Sequence, residues 1–240
     1  MSNLSTSAVS QWQGVVDSLR ARHGDGISVV LVGSVARGRS TEESDIDLLV
    51  IGERRPEAVC DLPRCHVQVC TETEFIRNLA LGEDFEAWSV RFGLPLYDGG
   101  AWARILRSAE AGVWPKWQAK IPHAARRLFM ASALLKMGDA DAATEETVYA
   151  LCHVVRALLL RAGVFSLSRP ELAEQAKVLG YSQLAHLHEE LRHPGGVSPS
   201  RIRLAQRYSK KLLLHLDRSA YAKFSKEYRE RNRAKSSRHR

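Results

Sequence analysis

One segment near the start of the chain constrains its fold more than any other: an apolar run ends in Gly-Ser, and two aspartates follow ten residues later. Residues 27–32 form a β-branched apolar run, which predicts a buried strand that stops at Gly33. Residues 48–51 are wholly apolar and predict a second interior strand, which Asp45 and Asp47 precede. Alternate residues of a strand share a face, so we expect the two carboxylates to project together.

The chemistry of this segment points to phosphate and a cation. A tight turn at Gly33 and Ser34 would present backbone N–H groups and a hydroxyl, and Arg37 and Arg39 follow closely enough to meet negative charge. Two neighbouring carboxylates repel each other unless a cation lies between them, and oxygen ligands beside a phosphate favour Mg²⁺ or Mn²⁺. The pattern predicts a phosphate pocket beside a divalent metal site, as phosphoryl or nucleotidyl transfer requires.

The string GSVARGRSTEESDIDLLV resembles the signature of the nucleotidyltransferase superfamily that includes DNA polymerase β. It is most similar to the minimal nucleotidyltransferases and to two-domain proteins like kanamycin nucleotidyltransferase, whose second domain is HEPN-like. The resemblance implies an α/β N-terminal domain, with a small mixed sheet flanked by helices, and an all-α helical bundle after it.

The same resemblance implies a metal-dependent enzyme of the adenylyltransferase type, which moves a nucleoside monophosphate, most simply AMP from ATP, onto an acceptor hydroxyl. Asp45 and Asp47 are the expected catalytic residues and ligands of Mg²⁺ or Mn²⁺. The expected nucleotide-binding residues are Gly33, Ser34, Arg37 and Arg39. The acceptor is left open among a small molecule, a partner protein and RNA.

One position departs from the family pattern. The family usually carries a third carboxylate on the next strand, and here the matching position is predicted to be Gln68, which can neither act as a base nor bind Mg²⁺ well. His66 shares its face and is one candidate base. The remaining alternatives are an acidic substrate, a catalytically degenerate, antitoxin-like module that binds a nucleotide or a partner protein, or another acid that takes the role. The candidate acids are Glu72, Glu74, Glu145 and Glu146.

Local patterns divide the chain into three parts. Residues 1–100 are predicted as the nucleotidyltransferase domain, 101–222 as the helical bundle and 223–240 as a flexible basic tail. The tail carries +6 of the net charge of +8, which suits an electrostatic arm for RNA or a solvated end. Tyr221 and Tyr228 lie in and beside it, at spacings that also suit a helix face packed on the body.

Composition limits the class of protein. The chain is 45% hydrophobic and 26% charged, close to ordinary globular proteins, and has no apolar stretch long enough to span a membrane. Its first residues lack the features of a secretory signal, so we expect a cytoplasmic protein that does not bind membranes. The four cysteines have no zinc-binding spacing and are expected to be reduced thiols. A homodimer is one assembly that the sequence leaves open.

Overall fold

The computed structural model describes residues 6–40, 44–57, 64–109, 114–193 and 196–237. The chain divides into two compact units, Met1–Pro115 and Lys116–Arg240. The first is built on a small mixed sheet, and the described elements of the second are all helical. This confirms the predicted fold class. Three parts of the predicted pattern, residues 41–43, Cys60 and the end of the basic tail at 238–240, lie outside the described residues.

The sheet of the first unit has four strands in the order β3-β2-β1-β4. The strands are β1 (Ser28–Val32), β2 (Ile46–Gly52), β3 (Cys65–Thr71) and β4 (Leu94–Asp98). β1 pairs antiparallel with β2 and with β4, whereas β2 pairs parallel with β3. β1 is buried along its whole length, because it lies inside the sheet with neighbours on both sides.

The strand β4 lies in residues 93–100, a segment whose proline and glycines are more typical of turns. Pro95 lies within this strand and pairs with Val30, at a position where the register of the β1–β4 pair shifts. Proline has no N–H to donate and is tolerated at the edge of a sheet or at a bulge. β4 meets both conditions, which is why a segment rich in proline and glycine still forms a strand.

The described residues of the first unit form five helices beside the sheet strands. They are α1 (Thr6–His23), α2 (Gly33–Ala36), α3 (Glu72–Leu81), α4 (Asp84–Phe92) and α5 (Ala101–Ala109). α1 buries Trp12, Val16 and Leu19. α3 begins with a capping box: the Thr71 hydroxyl accepts a hydrogen bond from the Glu74 N–H at 3.1 Å, and the Glu74 carboxylate accepts one from the Thr71 N–H at 2.9 Å.

Helix α5 belongs to the first unit, so the division of the chain differs from the limit predicted at residue 100. Trp102 and Ile105 on α5 are buried, and the Trp102 ring packs edge-on against Phe75 of α3, with the ring centroids 5.9 Å apart. The side chain of Asp98 also accepts hydrogen bonds from the N–H groups of Trp102 and Ala103 at the start of α5. These contacts attach α5 to the sheet.

The second unit contains five α-helices and two short 3₁₀ helices in its described part. These are the 3₁₀ helix Trp117–Ala119, α6 (Lys120–Lys136), α7 (Ala140–Arg161), the 3₁₀ helix Arg169–Glu171, α8 (Leu172–Val178), α9 (Ser182–Arg192) and α10 (Pro199–Ser237). α7 lies at the centre of the unit and packs against α6, α8, α9 and α10. Its apolar residues form the largest part of the core.

Helix α10 is longer than predicted and is interrupted. Asp217 has extended backbone angles, φ −157° and ψ 96°, and its carboxylate accepts a hydrogen bond from the Ala220 N–H at 2.8 Å. The helix then continues to Ser237, through most of the segment predicted as a flexible tail. Tyr228 stacks on Phe129 of α6 with ring centroids 4.9 Å apart, which confirms the packed alternative for its aromatic residues.

Three of the cysteines lie within the described residues. Cys65, Cys70 and Cys152 are free thiols, and burial raises the pKa of Cys70 to about 12. Among the described helices, none is both long and apolar enough to cross a membrane.

Candidate active site

The site begins where β1 ends at Gly33. Gly33 has a φ of 77°, a left-handed conformation that residues with a side chain rarely adopt. A Cβ atom placed there would lie 2.1 Å from Oδ2 of Asp47, closer than any real contact. The chain therefore requires glycine at this position for two reasons, the backbone angle and the approach of the carboxylate. The Ser34 carbonyl closes the following turn by accepting hydrogen bonds from the N–H groups of Arg37 and Arg39.

The two aspartates lie at the start of β2, beside this turn. Asp47 is the partner of Val32 in the β1–β2 register, and Asp45 lies one residue before the strand. Burial raises the pKa of the half-buried Asp47, the negative charge of Asp45 raises it further, and the charge of His66 opposes both. The two carboxylates therefore interact, and holding both ionised has a cost that a cation would offset.

The neighbour of the aspartates on β3 is His66. In the parallel β2–β3 register Asp47 lies beside His66, whereas Gln68 lies beside Leu49, one step farther along the same face. The His66 Nε2 atom is 3.8 Å from Oδ2 of Asp45, and the His66 side chain is 72% exposed. The strand thus brings a histidine rather than a glutamine to the carboxylates.

Arg37 and Arg39 occupy different surroundings. The Arg37 guanidinium lies 5.2 Å from the centroid of the Phe92 ring and 5.8 Å from that of Trp88, and the two rings are 5.0 Å apart. Both aromatic residues are on α4 at a spacing of four, which places them on one face of the helix. The sequence analysis did not predict their contact with Arg37. Arg39 is exposed.

Comparison with known proteins identifies the family of this region. Residues 13–92 match the family described as nucleotidyltransferase domain. The matched residues make up a third of the chain and are similar to that family. The match includes the Gly33–Asp47 site and ends before β4 and α5, which pack onto the same sheet.

Other comparisons are more distant. A solved nucleotidyltransferase-like protein from Exiguobacterium sibiricum 255-15 is 19% identical, with a TM-score of 0.48 over 92% of this chain and 79% of that chain. No curated protein matches the sequence.

Three of the candidate acids, Glu72, Glu74 and Glu146, already accept hydrogen bonds from other residues. The Glu72 carboxylate accepts hydrogen bonds from Nε and Nη2 of Arg104 at 2.9 and 2.7 Å. Glu74 belongs to the capping box of α3, and this hydrogen bond from the Thr71 N–H lowers its pKa. Glu146, a candidate on α7, accepts a hydrogen bond from Arg127 at 2.7 Å. Each of these three carboxylates therefore has a basic or backbone partner.

Asp45 and Asp47 are the candidate metal ligands of this site. Within the described ranges no group of three or more His, Cys, Asp or Glu side chains is arranged to hold a metal ion. Mg²⁺ is commonly held by one or two protein carboxylates, with substrate phosphates and water completing its six oxygen ligands. Asp45 and Asp47, which interact through their charges, fit that mode of binding.

Proposed function

We propose that this chain transfers a nucleoside monophosphate from a nucleoside triphosphate, most simply AMP from ATP, to an acceptor hydroxyl. The observation that carries the proposal is the placement of Asp47 against the Gly33 turn, with Asp45 beside it. This arrangement puts two carboxylates next to a turn whose glycine makes room for the close approach of the Asp47 carboxylate. The match of residues 13–92 to the nucleotidyltransferase family supports the reaction class.

Each residue of the site has a proposed role. Asp45 and Asp47 would hold Mg²⁺ or Mn²⁺, which when bound neutralises charge on the triphosphate and on the leaving pyrophosphate. Gly33 and Ser34 would bind the outer phosphates through the backbone and the hydroxyl. Arg37, held on the rings of α4, would meet phosphate charge at the same edge, and Arg39 would assist from the following loop.

A second candidate is a nucleotide-binding module that has lost turnover, acting as an antitoxin-like partner of another protein. One observation favours it: the strand beside the aspartates offers His66 and Gln68 instead of a carboxylate. Glu72 and Glu74, which follow that strand, are occupied by other partners.

The test uses the purified full chain with Mg²⁺ or Mn²⁺ and each common nucleoside triphosphate. Nucleotide binding is followed by thermal shift, and turnover by release of pyrophosphate in the presence of candidate acceptors. The proposal expects metal-dependent binding and turnover, and loss of turnover in D45N. Metal-dependent binding without turnover, for any acceptor, would support the second candidate. Absence of binding would contradict both.

The acceptor and the setting of the reaction are further parts of the proposal. A small molecule, a protein side chain and an RNA end remain the three classes of acceptor, and the basic residues of α10 favour RNA. We also propose a cytoplasmic location, where the free thiols Cys65, Cys70 and Cys152 stay reduced. Assay of all three acceptor classes with one nucleotide decides among them.

A further inference from the structure

The helical unit carries a second concentration of charge, on facing sides of α6 and α7. Residues three and four positions apart lie on one face of a helix. On α6 such a face carries Lys120, His123 and Arg127, and on α7 one carries Glu146, Tyr149, His153 and Arg156. The two helices pack closely against each other.

Two guanidinium groups meet on one ring in this region. The guanidinium carbons of Arg127 and Arg169 each lie 4.8 Å from the centroid of the Tyr149 ring. Arg127 is paired with the Glu146 carboxylate at 2.7 Å. Neither Arg169 nor Arg156 belongs to an ion pair in the part of the chain that the structure describes. The region therefore has more positive than negative charge.

His153 lies among these cations with an unsatisfied nitrogen. Its ring stacks on His123 with centroids 5.3 Å apart, and its Nδ1 atom is buried with no hydrogen-bond partner among the described residues. Burial, together with the positive charge of Arg156, lowers the pKa of His153 to about 3. The ring is neutral at pH 7, so one of its nitrogens carries a proton that it can donate.

We propose that the α6–α7 basic cluster, defined as Arg127, His153, Arg156 and Arg169, binds the phosphate end of a phosphomonoester or polyphosphate. Arg156 and Arg169, which have no carboxylate partner in the described part of the chain, match phosphate oxygens, and a group with two or more negative charges balances several cations at once. A buried ring nitrogen that lacks a partner gains one when an anion oxygen binds. The site needs neither Asp45 nor Asp47, so it goes beyond the proposed function.

A phosphate end fits this cluster better than the backbone of RNA. An RNA strand carries one charge per nucleotide and is followed by basic residues spread along a groove or stripe. Here Arg127 and Arg169 come from different elements and meet on the single ring of Tyr149. Convergence of this kind favours a compact anion.

The test is calorimetric titration of the full chain with inorganic tripolyphosphate in EDTA. The variants are R156Q and R169Q, and the matched control is K210Q, which removes an exposed charge of α10. Each arginine variant is expected to bind about tenfold more weakly, the effect of losing one charge-assisted hydrogen bond, and the control to bind like the wild type. R169Q removes an exposed side chain, so the fold is expected to survive it.

Two further measurements separate this site from the Gly33 turn and from RNA. The D45N/D47N variant is expected to bind tripolyphosphate as the wild type does. The ¹⁵N signal of the His153 ring, assigned by its loss in H153Q, is expected to shift on binding. The proposal is overturned by absence of binding, by wild-type affinity in both arginine variants, by a silent His153 signal, or by loss of affinity in D45N/D47N. It is equally overturned if the two arginine substitutions weaken the binding of single-stranded RNA but not the binding of tripolyphosphate.

Discussion

The carboxylate of Asp47 lies against the Cα atom of Gly33, so closely that a methyl group on Gly33 would overlap Oδ2 at 2.1 Å. β1 and β2 fix this approach, because Asp47 is the register partner of Val32, the last residue of β1. The Gly33 turn and the start of β2 therefore depend on each other structurally. A change at either residue is expected to disturb both.

Substitution of Gly33 tests that dependence. G33A is expected to lower the free energy of unfolding by about 2–4 kcal/mol, from left-handed backbone strain and overlap with Asp47, and to abolish nucleotide binding. G38A is the matched control: Gly38 has a φ of 63° but nothing within 4 Å of an added Cβ, so strain alone should cost about 1–2 kcal/mol. Urea unfolding measures both; equal losses would contradict the steric argument.

Asp47 makes a pH-dependent contribution to stability. Its pKa in the folded chain is raised by burial, so the folded state holds the proton more tightly than the unfolded state does. The free energy of unfolding therefore falls as the pH rises from 3.8, the ordinary pKa of the carboxyl group, through the raised pKa of Asp47 in the folded chain. It stays lower at all higher pH values. D47N removes this loss and should be more stable than the wild type near pH 7. Unfolding curves at several pH values check this; an advantage that grows on acidification would contradict it.

The aromatic pair on α4 is expected to position Arg37 for the nucleotide. If the proposed function holds, F92A and W88A should raise the KM for ATP several-fold and leave kcat nearly unchanged, because the guanidinium loses its support. F85A, on the same helix, is the control and should leave the KM unchanged. Steady-state kinetics distinguish these results, and an equal effect of all three variants would indicate general damage to α4.

The capping box of α3 is expected to stabilise the fold independently of any activity. T71A removes the hydroxyl that accepts from the Glu74 N–H, and should lower the free energy of unfolding by about 1 kcal/mol. T73A, an exposed position inside the same helix, should be neutral or slightly stabilising, since alanine has the higher helix propensity. Chemical denaturation compares the two; a larger loss in T73A would show that the cap is not the cause.

The charges at the end of α10 can be tested without removing its packing. Lys223, Lys226 and Arg229 are exposed, whereas Tyr228 stacks on Phe129. The triple variant K223Q/K226Q/R229Q should keep the wild-type melting temperature and weaken RNA binding. The slope of log Kobs for RNA against log [salt] should become shallower by up to about 0.7 for each lost phosphate contact. Deletion of residues 223–240 should also lower stability. RNA binding unchanged in the triple variant would remove RNA as the partner of these residues.

Local patterns predicted most of the first unit. The apolar runs predicted β1 and β2, because each run depends on residues close in sequence. β4 was not predicted, because Pro95 and the glycines around it are typical of a turn. Only the position of β4 at the edge of the sheet explains why a strand tolerates this proline. The packing of α5 was missed because the burial of Trp102 depends on Phe75, which is distant in sequence.

The aspartates and Gly33 were predictable as a site, but their neighbours were not. The parallel pairing of β2 with β3 decides that His66, and not Gln68, lies beside Asp47, and no local pattern contains that register. The contact of Arg37 with the rings of α4 likewise joins segments that are far apart in sequence. The roles of these residues in catalysis stay predictions.

The interruption at Asp217 lets the chain change direction and then begin a fresh helix, with the aspartate as its cap. The basic side chains that follow are therefore held on a helix instead of a random coil. Their charges are already spaced by the helical repeat before a polyanion binds. Little backbone entropy would then be lost on association, and the binding affinity would depend mainly on charge and salt concentration.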